Sequence, residues 1–206
     1  GGSYGFNTGF TIPDNVWTHI ALVITPTNAK VYMNGVAATR TATHAAEAFD
    51  TPVKIGYDQG TRYFKGEIEE VTVWNKSLTQ NEIRDLMHLT LSPQGQPNLV
   101  SYYQFNEASG LVQDKVSTRH ASLAGNAARI VSTGPLGGGT SARLTVTSGG
   151  LKTFAAANVV LAFPASGTYP NGEIVVNRIN LAPDSLPGCS AYHSDNHYWI
   201  IDNYGS

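Results

Sequence analysis

The 206-residue chain carries 14% charged residues, a net charge of -2 and a single cysteine, Cys189. That balance gives no general attraction to nucleic acid or to an anionic membrane, and a lone cysteine excludes an internal disulfide, so packing must hold the fold. Plentiful Gly, Thr, Ser and Asn read as a β-rich, loop-rich protein, and no apolar run approaches the length of a membrane span. The chain opens on Gly-Gly-Ser without a starting Met, which reads as a fragment of a longer protein, so a missing targeting signal says nothing about location.

In chain order, Trp17 to Thr25 is the first clear strand, with apolar Trp17, Ile20, Leu22 and Ile24 broken by one parity change. Pro26 to Ala29 turns the chain and Lys30 to Met33 returns it. Asn34-Gly35 predicts a tight hairpin, because both residues accept positive φ. Val36 to Thr43 continues the pair. Val53 and Ile55 start another strand that stops at Gly56, and Asp58, Gln59 and Gly60 form a turn. A strand is predicted from Phe64 to Trp74. Its parity changes between Ile68 and Val71, so a bulge near Glu69-Glu70 is expected, with both glutamates exposed or bonded to nearby loop N–H groups. Thr79 and Glu82 form a capping box flanked by the staple pair Leu78 and Ile83, which predicts a short helix near 80–88.

After a Pro/Gly stretch, Asn98 to Glu107 alternates like a strand, with Leu99, Ser101, Tyr103 and Phe105 on one face. An Asp114-centred loop follows. The Gly-rich run 132–140 is the best linker. Beyond it, strands are expected at Ala142–Thr147, Asn158–Phe163, Glu173–Ile179 and Tyr198–Asp202, with Pro and Gly turns at the spacing of an all-β sandwich. Trp17 and Trp74 are expected in the core.

Several motifs in this order resemble the laminin G-like, concanavalin A-type jelly roll of secreted bacterial multidomain proteins. They are Trp17 to Val23, Lys30 to Gly35, Ile55-Gly56, and Phe64 to Asn75 followed by Ser77-Leu78. The resemblance implies an antiparallel two-sheet sandwich over 1–131, truncated at its N-terminal side, whose usual work is binding of glycans or proteins. Residues 98–131 either complete that sandwich or are the stub of a degenerate repeat. Residues 141–206 more loosely resemble a β-module found near the sorting domain of proteins secreted by gliding bacteria, here incomplete.

The same jelly roll houses glucanases, so catalysis needs a test. Retaining hydrolysis uses two carboxyls about 5 to 5.5 Å apart on one face. Laminarinase-like glucanases of this fold carry three acids alternating on one strand, the outer two being that pair; Glu67 and Glu69 fit the first two, but the third should stand at 71 or 72, where Val71 and Thr72 are found. The chain is therefore expected to be non-catalytic. Nor is there a nucleophile elbow, a phosphate loop or a dinucleotide fingerprint. Glycan binding would use ring faces with polar groups beside them. Tyr57, Asp58, Arg62 and Tyr63 are the candidate site, and Tyr102 and Tyr103 the alternative. By family analogy, Asp58 and Asp114 are candidate calcium ligands, being hard oxygen donors on loops. The alternating His193, Asp195 and His197 suit zinc chemically but read equally well as a solvated turn. The expected role is a secreted or cell-surface carbohydrate-binding or adhesion module, assisted by calcium. The alternatives are a structural spacer in a long adhesin, or an accessory module of a secreted carbohydrate-active enzyme.

Overall fold

The computed structural model describes residues 7–41, 52–58, 60–183 and 196–205. Among them the strands pair antiparallel throughout, and there is one α-helix. The all-β expectation holds. The first sheet is a meander of β1 (Ile20–Thr25), β2 (Asn28–Met33) and β3 (Val36–Thr41). Asn34 and Gly35 take φ of 46° and 74°, the double positive that a two-residue hairpin turn requires. The apolar row of β1 does not become core: Ile20, Leu22 and Ile24 stay exposed, Leu22 by 60%, because the described residues supply no layer that covers them. The buried members of this sheet are Ala29 and Tyr32.

The long strand expected from Phe64 to Trp74 shrinks to β4 (Val71–Trp74), paired with β5 (Leu99–Tyr103). The irregularity falls elsewhere too. The register shifts between Val73 and Trp74, while Glu70 takes φ of 53° and breaks the extended run just before β4. A side chain that reaches the left-handed region must be held there by its contacts. Ile68 and Val73, expected on the core face, are exposed, and Trp17 and Trp74 are only partly buried. Pairing of β5 with β4 ties the segment after the helix into the N-terminal part of the chain. Phe105, with φ of 63°, ends that alternation early.

The helix α1 (Gln80–Leu86) forms where the capping box puts it. Thr79 Oγ1 accepts from the Glu82 amide, and the Glu82 carboxylate accepts from the Thr79 amide. Ile83 and Met87 are its buried stripe.

Strand β6 (Gly139–Val146) begins inside the Gly-rich run and pairs with β9 (Gly172–Ile179), which also pairs with β10 (Tyr198–Asn203). A hairpin of β7 (Gly150–Phe154) and β8 (Val159–Phe163) packs on one face of that sheet. Between them lies a core of Val146, Phe154, Ala157, Ile174 and Val176, flanked by Ala142, Val159, Leu161 and Phe163. Strand β7 was not anticipated. Lys152 occupies its inward parity between Gly150 and Phe154 and hides the apolar alternation.

Candidate functional site

Four residues singled out from sequence meet in one shallow depression. Gly56 and Gly60, at φ of 77° and 84°, reverse the chain so that Tyr57 and Tyr63 pair as an isolated bridge. Backbone bonds from Asp58 N to Arg62 O at 3.0 Å and from Phe64 N to Gly56 O at 2.9 Å close the hairpin. The two tyrosine rings lie 5.1 Å apart at 51°. Tyr57 is fixed by its hydroxyl, which donates to the Gly60 carbonyl at 2.9 Å, and by the Lys54 ammonium 4.4 Å from its ring centroid. Tyr63 remains 71% exposed. Arg62 and Asp58 form an ion pair at 2.5 Å beside the rings. Together with Phe64 and Ile68 these residues line an open cavity of about 390 Å³. An exposed ring beside a fixed ring, with a guanidinium and a carboxylate at the rim, suits a flat apolar face edged by hydroxyls.

The alternative tyrosines serve other ends. Tyr102 is fully buried. Its hydroxyl donates to Glu70 Oε2 and accepts from the Leu91 amide at 3.1 Å and from Gln104 Nε2 at 3.0 Å. It offers no surface to a ligand. Tyr103 donates to the Arg119 carbonyl at 2.6 Å.

Glu70 is the residue that sequence reasoning placed wrongly. Its carboxyl turns inward to Tyr102 instead of lying exposed or on a loop N–H. Burial first, opposed by the Tyr102 hydrogen bond and helped by the charge of Glu69, pushes it from 4.5 to about 7. Glu69 Oε1 is itself buried without a partner, packed where a Cβ on Gly134 would clash with it. The parity break at 69–70 was the signal. What it lacked was the hydroxyl on β5 that receives the side chain.

Asp114 is buried, at 4% exposure. Oδ1 accepts from the amides of Tyr102 at 2.9 Å and Val116 at 3.0 Å, and Oδ2 accepts from Ser117 Oγ at 2.5 Å. Burial alone would raise its pKa, but these hydrogen bonds outweigh it and hold the carboxyl at about 2. Asp58 sits in the other hairpin, paired with Arg62. Asp114 thus has three protein donors on its carboxylate and Asp58 has an arginine beside it. Among the described residues, no group of three or more His, Cys, Asp or Glu is placed to hold a metal ion. His193 and Asp195 lie outside the described residues, and the His197 ring packs edge-on against Trp199 at 4.8 Å.

Comparison with family models matches residues 1–84 to a laminin G family described as the concanavalin A-like lectin/glucanases superfamily. The matched stretch runs from before β1 into α1 and includes the whole Tyr57–Tyr63 hairpin. The match supports a laminin G-like, concanavalin A-like reading of this part of the chain. No curated protein and no solved structure matched the chain. No helix among the described residues is long and apolar enough to cross a membrane.

Proposed function

We propose that the chain is a non-catalytic carbohydrate-binding or adhesion module of a secreted or cell-surface protein, with the Tyr57–Tyr63 hairpin as its sugar platform. The observation that carries this is the 71% exposure of Tyr63 beside a ring locked in place by Gly60 and Lys54. The pre-set Tyr57 ring costs little entropy when a sugar packs on it, and Tyr63 adds its exposed face beside it. The Arg62–Asp58 pair supplies a donor and an acceptor for hydroxyls at the edge. The superfamily, which includes lectins by name, is compatible with this role.

The non-catalytic reading rests on Val71 and Thr72 standing where a glucanase strand needs its outer acid. Glu70, the nearest carboxyl to those positions, is engaged with Tyr102. A glycan array probed with the wild type and with Tyr63→Ala tests the proposal. Binding that Tyr63→Ala abolishes supports it. An array blank for the wild type leaves the spacer reading as the better one, and binding retained in full by the variant removes the hairpin as the sugar platform. Turnover of a β-glucan by the wild type would overturn the non-catalytic part.

A further inference from the structure

The two rings of the Tyr57–Tyr63 hairpin do not share a plane. They cross at 51° with their centroids 5.1 Å apart. A flat object laid on the face of Tyr63 therefore meets Tyr57 by an edge only. Levelling the pair costs contacts on either side. If Tyr57 turned, its hydroxyl would leave the Gly60 carbonyl 2.9 Å away, and its ring would leave the Lys54 ammonium 4.4 Å from the centroid. If Tyr63 turned, it would part from the Tyr57 ring it packs on, while the backbone bonds that flank it, Asp58 N to Arg62 O and Phe64 N to Gly56 O, keep its Cβ where it is.

The ground beside the rings is uneven as well. The Phe64 ring lies over Gly66, where a Cβ would come within 2.9 Å of it, and Ile68 lies over Gly56, where the gap would be 3.3 Å. Both side chains are exposed and form an apolar wall of the same depression. The Arg62–Asp58 ion pair stands at its rim with both side chains largely in water. A flat sheet of polymer pressed over the depression would strip water from both charges, and a neutral sugar surface does not return that hydration in full. A single chain lying along the depression leaves them wet.

Resting on the reading of this hairpin as a sugar site, we propose that its ligand is a single solvated glycan chain, soluble or amorphous, and not the ordered face of a crystalline polysaccharide. A chain free of a crystal turns about each glycosidic linkage. One residue can then lie on the Tyr63 face while its neighbour is set at an angle against Tyr57. In an ordered polysaccharide, adjacent chains present their rings in one plane, so such a face gains Tyr63 alone. Its hydroxyls are also bonded to neighbouring chains, whereas those of a solvated chain are free to accept from Arg62 and donate to Asp58.

The full chain, run by affinity electrophoresis through gels holding soluble β-glucan, xylan, galactomannan or alginate, and mixed with microcrystalline cellulose and crystalline chitin in depletion assays, gives the comparison directly. At least one soluble polymer should retard it, and the crystalline powders should bind at least tenfold more weakly. With an oligosaccharide of the retarding polymer, Tyr63→Ala should weaken binding about tenfold and Tyr57→Ala at least threefold. In the wild type, which needs no variant, sugar protons should show NMR contacts to the rings of both tyrosines. Equal or tighter binding to a crystalline powder, or sugar contacts to Tyr63 alone, would overturn the proposal and leave the carbohydrate-binding reading standing. No binding to either form would overturn both.

Discussion

Glu70→Gln should stabilise the protein, and only at neutral to alkaline pH. In the fold the Glu70 carboxyl titrates at about 7, against 4.5 when free, so the native state holds a proton that the unfolded chain gives up between those values. The folded value is the higher one. The stabilisation is thus fully present below 4.5 and is lost as pH rises through 7. At 1.36 kcal/mol per pH unit the gap amounts to about 3.4 kcal/mol. Glu70 is partly exposed, and screening by solvent reduces this to about 2 kcal/mol. Glutamine keeps an oxygen to accept from the Tyr102 hydroxyl but never ionises. At pH 8 the variant should therefore melt about 4 to 8 °C above the wild type, and at pH 4.5 the two curves should nearly coincide. Thermal melts by circular dichroism from pH 4.5 to 8 measure the difference, in which the opposite pH dependence of Asp114 cancels. A variant no more stable than wild type at pH 8 would refute the view that a buried charge is being tolerated there.

Asp114→Asn replaces a carboxylate that accepts from two amides and a hydroxyl, and should cost about 2 kcal/mol in urea unfolding; an unchanged midpoint would mean those bonds are replaceable by water. Thr79→Ala removes the N-cap of α1 and should cost about 1 kcal/mol by the same assay. Gln at 79 should not restore it, whereas Ser should.

The parts of this fold legible in the sequence are those where local chemistry decides. Asn34-Gly35 carries its own backbone preference, and the Thr79–Glu82 box satisfies its own amides, so both appear where expected. The turn at Asp58 to Gly60 brought Tyr57, Arg62 and Tyr63 together for the same reason. What the sequence hid depends on partners distant in the chain. Glu70 turns inward because Tyr102, 32 residues on, offers a hydroxyl. Asp114 looks like a surface ligand until the Tyr102 and Val116 amides claim it. Ile20 and Leu22 alternate as core residues do, yet burial needs a facing layer, which no pattern within β1 can guarantee. Strand β7 escaped notice because Lys152 sits at its inward parity.

The claim on which the functional account turns is that Tyr63 stacks on sugar. Titrating the wild type with a soluble oligosaccharide drawn from the array, followed by NMR, should shift resonances within 54–68, and Tyr63→Ala should weaken binding about tenfold, or about 1.4 kcal/mol. Shifts clustered away from that hairpin, with affinity untouched by Tyr63→Ala, would contradict it.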